Sequence, residues 1–344
     1  MKINLLKTSF WIIASILSLE SFATIRTVNN NPNSPGQYIN LTDAIDAASE
    51  GDTIMIAGSN TSHGNVTISK KLTLIGTGYS PRKDVSLLSK IGSISLSAGT
   101  SNNSVFIGLY VEASISGSGA ALSTINIRRS FIGGLDFNSV SNVNILNCII
   151  VGNVGIANCN NFLIANNIIS GYLNGNLATN VLVRNNLFTS TYVGANIDNV
   201  LYSNNIFYYR YSSSNTSDLC SACSNNVFNN NIYFNQKENP LPIGLNNNTG
   251  TANISANPQF NKITTDGNFS NDIFFDDYRL QSGSPALNSG TDGKDVGIYG
   301  GAIPIDYPLA GEPPVPQIKS MTINNNVVPP GGTLDVNVKA KKAN

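Results

Sequence analysis

Charge is scarce in this chain. Only 12% of its 344 residues are Asp, Glu, Lys or Arg, against about a quarter in an average globular protein. The formal net charge is +0 at pH 7, so no basic surplus is available to hold nucleic acid or an anionic membrane surface. His63 is the only histidine; it precedes the regular part of the chain and reads as an ordinary loop residue. Four cysteines do not make a disulfide framework, and a zinc site would need a second Cys or His pair beside Cys220 and Cys223. The apolar run from Phe10 to Leu19 is too short to span a bilayer comfortably. Paired carboxylates of the kind glycoside hydrolysis needs are missing from the regular segments: Asp136 and Asp198 fall in different columns and read as turn residues.

What the chain has is repetition. VNILNCII from Val143, FLIANNII from Phe162, VLVRNNLF from Val181, VLYSNNIF from Val200 and NVFNNNIY from Asn226 are variations on one line. The markers Asn147, Asn166, Asn185, Asn204 and Asn230 recur in steps of 19, 19, 19 and 26 residues, and a short fixed period is the signature of a solenoid. Apolar residues alternate within each repeat, as in Val143 and Ile145, so each holds a strand with one buried face. No repeat has room for a helix. One repeat cannot bury its apolar face alone, but stacked coils share a continuous core.

Carried past Val-x-Ile, the alternation places the first Asn of each pair inside the turn. A column of such amides would bond from coil to coil. Leu109 and Arg129 fall in the same column earlier in the chain, so the ladder is expected to begin at Asn147. The outward position between the paired apolar residues holds Leu163, Leu182 and Leu201. That is an exposed apolar stripe. The C-terminal extension is its expected cover, with a partner protein as the alternative.

At these Asn-Asn turns the chain resembles right-handed parallel β-helix proteins of the pectin-lyase-like superfamily, and the likeness extends over most of the chain. The resemblance implies an all-β fold: a right-handed single-stranded parallel β-helix with an N-terminal capping helix and a short C-terminal β extension. That superfamily includes polysaccharide lyases, hydrolases, epimerases and non-enzymatic surface proteins, so it implies a fold and no single activity. Residues 1–23 read as a signal peptide, with Lys2 and Lys7 before the apolar run and Ser21-Phe22-Ala23 as a cleavage site, which predicts a secreted or cell-surface protein. Residues 24–60 form the entry, where Leu41, Ala44, Ile45 and Ala48 share one helical face that Asn40 or Thr42 can cap and Gly51 can end. Residues 61–234 are the coils, 235–310 a closing segment, and 311–344 a Pro-rich spacer with two strands around the turn PPGG.

Little in the coils promises chemistry. A lyase or epimerase acting on uronates needs a base and a cation that stabilises the enolate. Arg128 and Arg184 share an outward column three coils apart, or about 14 Å. That is too far for one sugar unless Arg210 or a tyrosine lies between, and both read as solvated. Asp292 and Asp295 are explained by turn capping; no metal and no cofactor are expected. Tyr172, Tyr192, Tyr208, Tyr209 and Tyr211 gather near one column, as core or as a platform for sugar rings. Cys220 and Cys223 lie in the seven-residue excess of the long step, where a local disulfide fits. Cys148 and Cys159 fall in one coil on different faces; Cys159 shares its column with Val140, Ala178 and Ile197 and reads as a small buried thiol. Turns this short leave a smooth prism without a deep pocket. The expected function is an exported, non-catalytic β-helix scaffold or surface protein, with weak polysaccharide binding or adhesion. The alternative is a polysaccharide lyase or epimerase on uronate-containing glycans, carried by Arg128, Arg184 and Arg210. A polysaccharide is the expected partner, and nucleic acid is not. After signal removal no membrane span is expected, and protein contact is expected at Leu163, Leu182 and Leu201 if nothing else covers them.

Overall fold

A computed structural model describes residues 23–81, 83, 87–209, 218–234, 241–264, 273–305, 311–324 and 327–341; the signal peptide expected at the start lies almost wholly outside them. The described chain is a parallel β-solenoid. Each regular coil holds three short strands, for example Ser141–Leu146, Ile149–Ile150 and Val154–Ala157. The next coil repeats them as Asn160–Ala165, Ile168–Ile169 and Leu173–Gly175, paired residue for residue with the coil before. The three strands define three faces. The first face is an 11-stranded sheet from Ile25–Val28 to Thr249–Thr251. The second and third belong to one 15-stranded sheet, because Tyr110–Ser118 and Phe131–Asn138 run unbroken across the corner between them. Val143, Phe162, Val181 and Val200 lie in register, and such inward columns fill one core from Val28 to Leu241.

The corner after the first-face strand decides which Asn points inward. Asn147, Asn166, Asn185, Asn204 and Asn230 have φ between 54° and 56°, the left-handed region that Asn tolerates better than other L-residues. A left-handed residue breaks the in-out alternation and swings its own side chain outward. The ladder is therefore built by the second Asn of each pair, one residue later than the alternation indicates. Asn167, Asn186, Asn205 and Asn231 are each 0% exposed. Nδ2 of Asn167 donates to Oδ1 of Asn186 at 3.0 Å, and the same bond links Asn186 to Asn205, Asn205 to Asn231 and Asn231 to Asn253. Each Oδ1 also accepts the backbone N–H of the preceding rung, and each Nδ2 also caps a strand carbonyl, as Asn186 does at Ile164. The inward column holds Cys148 and Ser130 before it holds Asn. Leu109 also belongs to this inward column, because Val105 pairs with Asn126 and the Leu109 N–H donates to Ser130 Oγ at 3.2 Å. Gly108, at φ 67°, takes the left-handed place beside Arg129.

The start of the solenoid carries its one described helix, α1 (Leu41–Ala47). Its apolar face buries Leu41, Ala44 and Ile45 in the common core. Asn40 stands at the N-cap without a side-chain cap bond, and the helix ends at Ala48 rather than Gly51. Asp52 is buried beneath this entry and accepts from the Thr24 N–H, the Ser49 N–H and Arg26 Nε at 2.7, 2.9 and 2.9 Å. Burial pushes its carboxyl up, but the two backbone donors and the Arg26 guanidinium outweigh that and hold it below the ordinary range.

No described part of the C-terminal segment packs with the leucine stripe in an apolar layer. That segment packs on the second face, where Phe131, Ile149, Ile168, Leu187, Ile206 and Ile232 point outward and meet Phe260, Ile273, Tyr278, Val296 and Ile298 in a second apolar layer. The second-face strands therefore read as apolar doublets: Ile149 faces this layer and Ile150 faces the core. Beyond it, Gln317–Ile323 and Val336–Lys341 form an antiparallel pair, close to the two strands expected from Ile318 to Ile323 and Thr333 to Lys339.

Asn186→Ala removes a buried rung and leaves the Asn167 N–H without an acceptor. Denaturant titration is expected to show a loss of about 3 kcal/mol or more, whereas truncating an exposed Asn such as Asn142 costs well under half of that. The depressed Asp52 carboxyl stabilises the fold above its unfolded pKa, and that stability is lost as pH falls through the lower folded value. Thermal midpoints should therefore drop as pH falls below about 4, with a shallower slope in Asp52→Asn, which is already weaker at neutral pH.

Candidate functional site

The second face is occupied by the chain itself. The outward amides of the left-handed corner form a rail for the returning C-terminal segment. Asn147 Nδ2 donates to Ile303 O at 2.9 Å, and Asn166 Nδ2 to Ile298 O and Gly300 O at 3.0 and 2.8 Å. Asn185 donates to Asp295 O, Asn204 to Thr291 Oγ1 and Asn230 to Ser289 O. Arg129, in the same column, donates to Glu312 O at 3.0 Å. Residues 289–303 thus run back along the solenoid, against the direction in which its coils accumulate, and Glu312 lies further along the same line.

The first face keeps an accessible outer surface. Strand register sets Leu163 beside Leu182 and Leu182 beside Leu201. Leu201 is 37% exposed, and the other two are half-buried. Along one border stand Asn142, Asn161 and Asn180, each in the left-handed region. Their side chains form an outer ladder, with Asn161 donating to Asn142 Oδ1 at 2.5 Å and Asn180 to Asn161 Oδ1 at 3.0 Å. An amide has two N–H donors and two acceptor lone pairs, so these residues keep bonding capacity toward solvent. Along the other border runs the column Arg128, Leu146, Ala165 and Arg184. Between the borders lies a shallow depression of about 340 Å³, with Phe162, Leu163, Leu182 and Arg184 among its walls. Its lining contains no Asp, Glu, His, Lys or Cys. It offers an apolar floor, amide donors and acceptors and one guanidinium, and no group that exchanges protons near neutral pH.

The arginines share the expected column, but Leu146 and Ala165 stand between them, so three coil steps, or about 14 Å, separate them. Arg210 and Tyr211 lie outside the described residues. The described tyrosines fall in two separate groups. Tyr172 and Tyr192 meet edge-on with centroids 6.4 Å apart, and Tyr192 borders a separate depression of about 390 Å³ with Asp218, Cys220 and Cys223. Tyr208 stacks on Phe234 at 5.8 Å and meets Phe260 edge-on at 5.3 Å, so it packs under the C-terminal segment. Tyr209 is half-buried and its N–H donates to Phe234 O.

Cys220 and Cys223 form a disulfide. Cys148 and Cys159 are free and buried; burial pushes the Cys148 thiol up to about 12 and raises Cys159 as well. Burial lowers the His63 pKa, and its Nε2 lies 3.1 Å from Ala57 O. Asp292 and Asp295 accept the Lys294 and Asn288 N–H groups within their own turns, and Asp198 accepts from the Ser224 N–H and hydroxyl. Sequence reasoning missed the Asn142 column as part of the site. Its signal is plain once sought, since an Asn precedes Val143, Phe162, Val181 and Val200 at the same interval of 19 residues.

No protein-family model matches the chain, and no curated protein matches it in sequence.

Removing two rail amides together, Asn166→Ala with Asn185→Ala, should free the returning segment without touching the inner ladder. At about 1 kcal/mol per bond, local opening becomes some 2 kcal/mol easier. Hydrogen exchange should then be roughly thirty-fold faster at the Gly297 and Ile305 N–H groups, while the Asn186 N–H stays protected.

Proposed function

We propose that this protein is an exported, non-catalytic right-handed β-helix of the pectin-lyase-like kind, and that it binds polysaccharide along the outer surface of its first face. One observation carries the reading: Leu163 and Leu182 lie between an amide ladder and Arg184, in a depression with no side chain suited to proton transfer. Leucine side chains take the apolar face of a sugar ring, and the flanking amides take its hydroxyls. The stacking of coils repeats these groups at about 4.8 Å along the axis, which suits a ligand that is itself a chain of repeating units. A lyase or epimerase would need a base and an enolate-stabilising cation at one sugar. Arg128 and Arg184 are three coils apart, which favours binding over turnover. The Cys220–Cys223 disulfide is compatible with an oxidising compartment, and the leader-like residues 1–23 support export.

Affinity electrophoresis of the mature chain against neutral and uronate-containing polysaccharides tests the proposal. Retardation by at least one polymer is expected. Leu182→Asp should weaken it about tenfold, Asn180→Ala should weaken it less, and Tyr192→Ala should leave it unchanged. The melting temperature of each variant distinguishes lost binding from lost folding. Retardation that Leu182→Asp does not alter, or ultraviolet absorbance from unsaturated sugar product, would overturn the reading.

A further inference from the structure

The two ends of the solenoid are finished differently. At the start, α1 packs against the first strands and buries Leu41, Ala44 and Ile45. Arg26, Asp43, Asp46, Glu50 and Asp52 cluster in sequence there. At the other end, Thr249–Thr251 is the last strand of the first face and Ile254–Ser255 the last of the second. No described strand pairs with the far side of either. Thr249, Thr251, Ala252, Ile254 and Ser255 are exposed, and Ile243, Leu245 and Ile254 are 42%, 61% and 43% exposed. The chain leaves this edge sideways: the Ala256 N–H bonds to Tyr233 O, and Phe260 packs on Tyr208. The described part of the returning segment therefore covers the second face, and no described strand covers the end.

An open strand edge is a template for pairing, and proteins ordinarily blunt it with charge, proline or a covering element. The last coil carries no such charge. Residues 239–261 contain no Asp, Glu, Lys or Arg. The inner ladder also runs out here. Asn253 accepts from Asn231 and donates to Phe228 O at 2.7 Å, and the bond that each earlier rung gives to the following coil has no described coil to receive it.

We propose that this edge pairs with the same edge of a second copy, forming a two-fold dimer joined end to end. A head-to-tail stack would set the bare edge against Ile25–Val28, whose far side already bonds Tyr38 through Thr27 O and which lies beside α1 and its acidic residues, so it would gain little strand pairing. A two-fold axis through the second-face edge instead brings Ile254–Ser255 antiparallel to its own copy. Such a contact sets like residues near one another, so any charge on the edge would meet its own sign. An edge of Thr, Gly, Ala, Asn and Ile has none to repel. Pairing encloses Ile254 and satisfies the outward backbone groups of its strand. It also closes the assembly at two chains, leaving a helix-covered terminus at each outer end.

Sedimentation equilibrium of the full chain, with Ile254→Lys and Ile254→Asp variants, tests this. The unaltered chain should sediment as a dimer. Each variant alone should be a monomer with an unchanged circular dichroism spectrum, and mixing the two should restore a dimer through opposite charges. An unaltered chain that stays monomeric over the accessible concentration range would overturn the proposal. A dimer that persists in both variants would do so too, because it would place the contact elsewhere. If the monomer shows Gly250 and Ile254 N–H groups protected from exchange, the edge belongs to a segment of the same chain, which also overturns it. The polysaccharide-binding surface lies on the side of the solenoid, so its variants and these report on separate surfaces.

Discussion

From Gly108 to Ala252, each coil of this solenoid turns the corner after its first-face strand with a left-handed residue, and the amides buried at that corner have to be paired. Asparagine meets both demands, at adjacent positions. An ordinary L-residue in the left-handed region costs about 1–2 kcal/mol, and Asn adopts it more readily because its short side chain bonds locally. The following residue then faces the core, where a lone amide would be costly. It is tolerable because Asn167, Asn186, Asn205 and Asn231 bond to one another and to strand carbonyls. Each rung depends on the next, since the N–H of one coil uses the side-chain oxygen of the coil after it. The early coils, with Ser130 and Cys148 in the same column, show that the requirement is for an acceptor where a neighbour's N–H needs one: the Leu109 N–H finds it in Ser130 Oγ.

The same corner decides the fate of the outside. Because the left-handed Asn points outward, each coil presents an amide at one edge of the second face. Those amides take carbonyl oxygens from residues 289–303. The segment so held lies over Ile168, Leu187 and Ile206, which would otherwise be an exposed apolar column. Polar rail and apolar bed thus act together, with the rail setting register and the bed supplying most of the burial. The first face has its own outer amides at Asn142, Asn161 and Asn180, but these bond to one another and no described segment is held on them. One face is therefore closed by the chain, and another keeps an accessible patch.

The period, the strands, the buried columns and the Cys220–Cys223 pairing were legible in the sequence because each depends on spacing alone. The identity of the inward Asn was not. Alternation assumes extended residues throughout, and one left-handed residue shifts the phase by a single position. The cover over the second face was missed for a related reason. Doublets such as Ile168-Ile169 and Leu187-Phe188 look like core, yet in a strand adjacent residues face opposite sides. One member of each doublet therefore needed an outer cover. The leucine stripe at Leu163, Leu182 and Leu201 was visible, but its neighbours were not, because Asn142, Asn161 and Asn180 sit outside the alternating core.

Low charge ties these features together. With few ionic groups, the surface is solvated mainly by amides and hydroxyls, which bind water and sugar hydroxyls with similar strength. Any single contact to a glycan is then weak, and useful affinity has to come from repetition. A solenoid supplies repetition directly: a ligand lying along Leu163, Leu182 and Leu201 meets comparable groups at each coil, and linked weak contacts combine well beyond any one of them. The same scarcity of charge leaves residues 239–261 without a charged side chain to oppose pairing. With so little charge, the sides and the end of the solenoid both present amides, hydroxyls and backbone groups in repeat, and these are what the proposed polymer contact and the proposed end-to-end contact would each use.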